Sequence, residues 1–520
     1  MKKYIMAIDD GTTGIRALIF DHDANLVARA YRPVKQIFPK AGWCEQDAME
    51  VWKKCIEVMK EALNSADVKA GEIEAIGITT QRSTNLLWDK NGEPVYNAIT
   101  WHDTRTAEIC DKMNKNKKMN GMRALGKIFK GMSYLMPSMR RMPSMARLIT
   151  AADISFTPVP SLPKVKWVLD NVEGARKKAE KGELFFGTMD TWLLWNLTGK
   201  KQHATDFSNV SATSMYDTFK LKWSSIFLDI FDIPEEILPE VRDTAGDYGV
   251  MEKSILGAEI PIASMVADQQ ASLFAEGCFK EGEIKCTHGT GSFIDMNVGS
   301  KPAASLHRLL PMIAWRIKGK TSYLLEGMIN TTGAAVEWLK ENLGIIKNPE
   351  ESESIAFSTE AEGVYFVPAF TGLSSPYWDA YAAGIVIGLS RRTRKEHIVR
   401  AVLEGIVYRC RDVIEAMKTD AGVEIKSIKA DGGASSNNFL LQFMADMLNA
   451  RVERPKMLDT TGLGAAFLAG IAHDYWKKED VIQKRKVDKI FEPNIDEEKR
   501  EKLYNGWKKA VKRALKWQME

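Results

Sequence analysis

The sequence predicts a mixed α/β protein made of two related halves that face each other across a cleft. Three observations carry that expectation. The first is the opening, where short apolar runs alternate with turn residues: Tyr4 to Ile8, the turn Asp9-Asp10-Gly11-Thr12-Thr13-Gly14, Arg16 to Phe20, a turn over Asp21 to Asn25, and Leu26 to Ala30. The second is a helical period after Asp47, succeeded by a buried-strand pattern from Ile73 to Thr79. A meander that passes into strand–helix alternation argues for a mixed sheet. The third is a restart near Gly282, where Glu283 to Cys286 leads through a Gly-Thr turn into a second apolar run. A repeated strand–turn–strand unit implies two related sheets. It divides the chain into an N-terminal domain, 1–275, and a C-terminal domain, 276–520.

Along the chain, Asp47 is placed to cap the helix MEVWKKCIEVMKEAL, with Glu50 three residues on completing a capping-box pattern. From Lys112 to Arg147 there are ten Lys/Arg, no Asp or Glu, and eight of the 24 methionines. Its prolines (Pro137, Pro143) and glycines predict that no single helix runs through it. This basic, Met-rich insertion, about 112–160, reads as a solvated surface excursion or as a lid that shapes the substrate site. A third glycine turn, Asp431-Gly432-Gly433-Ala434, comes after the run Ile425 to Ala430, and Ser435 to Asn438 then open a helix. The tail from Trp476 is charged and helical in spacing, with Trp507 and Trp517 as expected packing anchors.

Composition narrows the class. An apolar fraction of 45% and a charged fraction of 27% exclude a disordered chain, a fibre or a coiled coil. The net charge of +4 is too small to imply nucleic-acid binding. No apolar run approaches the roughly 20 residues that span a bilayer, so no membrane partner is expected. The six cysteines are scattered without a CxxC pair, so neither a disulfide framework nor a zinc site is expected, and a reducing cytoplasm is.

The glycine turns carry the chemistry. Glycine lets backbone amides approach a phosphate closely, and threonine hydroxyls add donors. Thr12 and Thr13 in the first turn, and Gly289 and Thr290 in the second, are candidate phosphate contacts, and Arg16 is placed to reach an anion. Asp9, at a strand end, is a candidate for a magnesium ion, which takes oxygen ligands and retains waters. The third turn puts amides and a helix start beside a nucleotide. There is no Walker A sequence. Gly462-Leu463-Gly464 lacks the third glycine of a dinucleotide fingerprint and reads as a close-packing helix start.

These residues resemble the FGGY family of carbohydrate kinases almost end to end, and within it the glycerol-phosphorylating members. The resemblance rests on DDGTTGIRALIFD, GITTQRS, YNAITWHDTRTAEIC, GTMDTWLLWNLTG, ADQQASLF, HGTGSF and DGGASSNNFL, and on a second signature from Gly384 to Glu404. It implies two ribonuclease-H-like domains of the actin and Hsp70 superfamily around a catalytic cleft. It also implies an ATP-dependent kinase using Mg2+, acting on a polyol or sugar as a dimer or tetramer. The general base would be Asp268, also near the metal with Asp9; a carboxylate in reach of an alcohol can take its proton. Nucleotide contacts would come from Thr12, Thr13, Arg16, Gly289, Thr290, Gly333, Gly433 and Asn437. Glu337 stands where these kinases carry a glutamine near the adenine.

Substrate contacts implied by the resemblance are Arg82, Trp101, Asp268, Gln269 and Phe293. Two positions depart from the glycerol pattern: Ser83 replaces a glutamate, and Val159 replaces a tyrosine. Both changes remove polar partners and open volume, and an unpaired buried partner costs about 1–3 kcal/mol. His102 and Asp103 offer replacement polar groups. The expectation is therefore an acceptor larger than glycerol (a longer polyol, keto-sugar or cyclitol), with glycerol itself as the alternative. Outside the kinases, an actin- or Hsp70-like ATPase and a non-catalytic sugar sensor are the other classes such a chain admits.

Overall fold

The computed structural model describes residues 3–457 and 459–519. The opening meander forms as Tyr4–Asp10, Gly14–Phe20 and Leu26–Pro33, paired antiparallel in sequence. Ile73–Thr80 joins Tyr4–Asp10 in parallel, Ile260–Ala267 joins Ile73–Thr80 in parallel, and Val250–Met251 closes that edge antiparallel. A parallel neighbour needs a crossover, and helix Ala48–Ser65 supplies the first. The Asp47 carboxylate accepts from the amides of Met49 and Glu50 and so starts the helix. The expected reciprocal half of the capping box is replaced: the Glu50 carboxylate pairs with Lys54 one turn on. Val51, Cys55, Val58, Met59 and Ala62 form its buried stripe over the sheet.

The second sheet repeats this plan. Lys320–Ile329, Ser292–Gly299 and Glu283–His288 are antiparallel neighbours. Ser427–Asp431 and Val452–Pro455 then add in parallel, and Val487–Phe491 closes the edge antiparallel. Leu310–Ile317 is one strand more, beyond Lys320–Ile329. The fold is thus mixed α/β with two ribonuclease-H-like sheets of matching strand order. In each sheet the Gly-Thr turn joins the central strand to its antiparallel neighbour. It therefore emerges beside the carboxyl ends of the parallel strands, where ligands of α/β sheets sit.

Helix Thr460–Ala472 comes late in the chain but packs on the first sheet, against Tyr4–Asp10, Ile73–Thr80 and Ile260–Ala267. Its glycines are there for closeness, as the sequence suggested. A Cβ on Gly464 would lie 1.9 Å from the Ala271 carbonyl oxygen, and one on Gly462 2.6 Å from Leu18 Cδ1.

The insertion departs from expectation in two ways. Its glycines do not break it: Lys117–Leu135 is one helix through Gly121, Gly126 and Gly131. A Cβ on Gly126 would lie 2.3 Å from the Ala152 amide nitrogen, so that glycine serves a close crossing. The prolines do punctuate, each opening a new helical turn at Pro137 and Pro143. The segment is also not merely solvated. Arg140 donates to the Thr419 carbonyl at 3.0 Å, and Arg141 to those of Ala421 and Val298 at 3.0 and 2.6 Å. It spans from the first half to the second. In the tail, Trp507 is buried and donates to Asp412, whereas Trp517 is 66% exposed and anchors nothing. Among the described residues no helix is long and apolar enough to cross a membrane.

Candidate active site

Three parallel strands of the first sheet deliver Asp9, Arg82 and Asp268 to one edge. Side chains alternate along a strand, so Asp9 and Asp10 diverge. Asp10 turns into the interior behind the turn, where neither carboxylate oxygen finds a partner and burial pushes its carboxyl well up. Asp9 faces the cleft. Burial raises its pKa, while Arg16 at 3.2 Å and the Thr461 hydroxyl at 2.6 Å pull the other way; Asp268 is close enough to push it up further.

Asp268 is the first residue of helix Asp268–Ala275, and its Oδ1 accepts from the Gln269 amide at 2.7 Å. Its side chain keeps 28% of its surface, so it is open to the cleft. Arg82 Nε lies 3.4 Å from Asp268 Oδ1, and another of its nitrogens donates to Glu326 Oε2 at 2.6 Å. Burial pulls the guanidinium's pKa down, but Glu326 and Asp268 more than reverse this and hold it charged. Its plane is 5.6 Å from the Phe293 ring. Gln269 accepts from Lys285 at 2.6 Å, and Lys285 is itself locked to Asp295 at 2.8 Å, both without solvent exposure. A carboxylate, a fixed cation, an amide and an aromatic face therefore converge.

Trp101 donates from its indole nitrogen to the Thr12 hydroxyl at 2.9 Å, tying this pocket to the first glycine turn. Ser83 adopts a left-handed backbone, φ 64°, a strained conformation for a residue with a Cβ. Its hydroxyl donates to the Ala212 carbonyl at 2.9 Å. Lys164, fully buried, donates to the carbonyls of Val159 at 2.7 Å and Ser83 at 3.2 Å. Burial drops its pKa to about 7. The two positions that departed from the glycerol pattern are thus pinned by one amine through their backbones.

Two expected substrate contacts are corrected. Asp103 is buried and spent on structure: it accepts from the Cys44 amide at 2.6 Å and from Arg105, which also binds Glu45 at 2.7 Å. Its neighbours in sequence could not show this, because Cys44 and Glu45 come from a distant strand. Val159 is exposed and contributes only its carbonyl. His102 stacks edge-on against Trp101 at 5.1 Å, and burial lowers its pKa.

The nucleotide-side turns also meet. The Gly333 amide donates to the Gly289 carbonyl at 3.0 Å and the Thr332 amide to that of Thr290 at 2.9 Å. Gly432, with φ 86°, lies so close to His288 that a Cβ would come within 2.6 Å of its carbonyl oxygen. Gly433 opens the next helical turn, and Asn437 caps helix Asn438–Leu448. Gly14 is required by space: a Cβ there would lie 2.4 Å from the Tyr31 hydroxyl. The backbone carbonyls of Thr12 and Thr13 are tied to Gln46 at 2.7 Å and Tyr31 at 3.3 Å. Arg16 is drawn to Asp459 at 2.6 Å as well as to Asp9. Glu337 is exposed, 3.7 Å from Lys340 on its own helix.

Sequence reasoning missed the residues that join the two halves. Thr460 donates to Asp431 Oδ2 at 2.6 Å, and Thr461, next in the chain, donates to Asp9 Oδ2. Asp431 also accepts from Ser272 at 2.7 Å and Thr287 at 2.5 Å. One helix start therefore clamps the carboxylates beside the first and third turns. The only signal was the Asp-Thr-Thr run before Gly462, a common capping pattern.

Comparison with known proteins decides what this cleft belongs to. The N-terminal domain of the FGGY family of carbohydrate kinases matches residues 4–135 and 133–275, and its C-terminal domain matches residues 284–473. The chain belongs to the FGGY family of carbohydrate kinases. Within the family it is 50% identical, over 100% of both chains, to a glycerol kinase of Caldanaerobacter subterraneus subsp. tengcongensis. It is 48% identical, over 99% of both chains, to glycerol kinase 2 of Thermotoga maritima. The structure of a Plasmodium falciparum glycerol kinase with ADP superposes at a TM-score of 0.89 with 31% identity, covering 98% of each chain. A gluconate kinase of Lactobacillus acidophilus shares the fold at a TM-score of 0.83 and 22% identity, covering 98% of each chain. The chain is thus an ATP-dependent kinase with an alcohol acceptor and a small-molecule substrate.

These full-length relatives overturn the expected acceptor larger than glycerol. The physical reason is visible at the two altered positions. Ser83 and Val159 do not simply vacate space, because Lys164 holds both backbones and Ala212 takes the serine hydroxyl.

Proposed function

We propose that this chain is a glycerol kinase, transferring the γ-phosphoryl group of ATP to a terminal hydroxyl of glycerol. End-to-end identity of about half with glycerol kinases carries this reading. The cleft supports it. Asp268, half-open and held by the Gln269 amide, accepts the proton of the attacking hydroxyl. Arg82, fixed between Asp268 and Glu326, and Gln269, fixed by Lys285, position the other hydroxyls. Rigid support of this kind holds a small acceptor in attack geometry. Trp101 and Phe293 cover its carbon chain, with Ser83 and His102 at the margin. The turns of Thr12 and Thr13 and of Gly289 and Thr290, with Gly333, Gly433 and Asn437, receive the nucleotide, and Arg16 serves the phosphates.

A magnesium ion fits Asp9 and Asp268, two nearby carboxylates of which Asp9 is nearly dry, since that ion binds through one or two carboxylates plus phosphates. When bound it offsets the charge on the transferring group. The same reading includes a cytoplasmic dimer or tetramer, which sedimentation velocity checks.

Coupled ADP release with glycerol, erythritol, xylitol and inositol tests the substrate. Glycerol should give the highest kcat/KM, and a better longer polyol would sink the assignment. Asp268→Asn should lower kcat by about 10²–10⁴-fold while nucleotide binding persists. Equal ATP turnover without any acceptor would point to an ATPase instead.

A further inference from the structure

One cluster of side chains has no part in that chemistry. Cys286 and His288 lie two residues apart on Glu283–His288 and so share a face of the second sheet. Cys410 meets them from helix Lys395–Ala421. All three are buried, and their donor atoms lie within 4.8 Å of one another. Cys286 Sγ is 3.3 Å from His288 Nε2. A sulfur and a nitrogen on one tetrahedral zinc ion, at about 2.3 and 2.0–2.1 Å, stand about 3.6 Å apart. The spacing suits two ligands of one ion, but Sγ is also 3.9 Å from Nδ1, so the imidazole must turn to aim Nε2 at an ion between them. The outer contact is present too: His288 Nδ1 lies 2.8 Å from Ser292 Oγ. With Nδ1 engaged by the hydroxyl, Nε2 is the ring nitrogen left for an ion.

We propose that Cys286, Cys410 and His288 Nε2 form a binding site for a thiophilic cation, Zn2+ or Cu+. Two thiols and an imidazole select soft and borderline ions over Mg2+. On loading, each S–H bond is replaced by a sulfur–metal bond, and two protons pass to solvent. With Zn2+, two thiolates and a neutral imidazole sum to no net charge, which suits a dry interior. Three donors alone match a trigonal Cu+ site. Burial favours the neutral imidazole of His288, the form that ligates, and also pushes the Cys286 thiol up, so the ion must displace a tightly held proton. The site lies behind the second glycine turn, since His288 immediately precedes Gly289 and touches Gly432. An ion bound only by the folded chain raises its thermal stability.

The test is expression of the full chain with added Zn2+, Cu+ or Mg2+, dialysis against EDTA, metal analysis and X-ray absorption. Expected is about one Zn2+ or Cu+ per chain and none from the Mg2+ arm. The zinc shell should hold two sulfurs at about 2.3 Å and one nitrogen at about 2.0–2.1 Å. Which ion is retained distinguishes the two sources. Cys410→Ser should weaken metal retention at least about tenfold, and abolish the gain in Tm with it. The proposal fails if wild type retains no metal or if the shell is oxygen only. It also fails if Cys410→Ser binds as well as wild type, or if the two cysteines prove joined in a disulfide by intact mass. Should Cys410→Ser not fold, Cys286→Ala and the wild-type absorption spectrum decide.

Discussion

At the scale of the residue, the cleft carboxylate of Asp9 depends on a small donor from far along the chain. Thr461→Val removes the hydroxyl on buried Asp9 and should cost about 1–3 kcal/mol in a urea melt. Because that donor favours the ionised form, its loss raises the pKa of Asp9. The acid limb of kcat/KM should then move to higher pH; an unmoved limb would show that Asp9 does not need to be charged. Lys164 gives a second, oppositely signed test. Its pKa falls from 10.5 to about 7 on folding. Between those values the unfolded chain binds more protons, so this group makes stability rise with pH from about 7 to about 10.5 and contributes no slope below. Lys164→Met should flatten the Tm–pH curve in that window. It should also raise KM for glycerol, since it frees the backbones of Ser83 and Val159.

At the scale of the element, helix Thr460–Ala472 does the joining, and its small residues set how closely it can approach. Gly464→Ala would drive a methyl group to within 1.9 Å of a backbone oxygen and should destabilise by about 1–3 kcal/mol or more. Gly121→Ala, in helix Lys117–Leu135 with nothing within 4 Å, should instead stabilise by about 0.5–1 kcal/mol. Urea midpoints of the two variants separate packing from propensity; a loss in both would refute that account. The same contrast explains which elements were legible in the sequence. The meander, the capping role of Asp47 and the third glycine turn were, because apolar runs bounded by turn residues, and cap residues, act locally. The helix through Gly121, Gly126 and Gly131 was not, because a glycine that weakens an isolated helix is tolerated where tertiary packing holds the element.

At the scale of the whole molecule, the Met-rich segment bridges the halves through Arg140 and Arg141. Replacing both with alanine withdraws three bonds to carbonyls of the second half and should lower stability by about 1–3 kcal/mol. If the segment also governs closure, KM for the acceptor should rise with kcat little changed; unaltered kinetics would make it a structural strap only. The order of residues along the chain was enough to specify the two-sheet plan and the three glycine turns, since each is written in a run of adjacent residues, and the family resemblance of those runs supplied the candidacy of Asp268. Folding in three dimensions was needed to show that Asp103 serves Arg105 rather than the acceptor. It was needed too for the reach of Lys164 across the two altered positions, for the clamp that Thr460 and Thr461 place on both halves, and for the meeting of Cys286, His288 and Cys410. These are contacts between strands and helices far apart in the chain. Their partners are chosen by sheet order and helix packing, which no spacing along the sequence records.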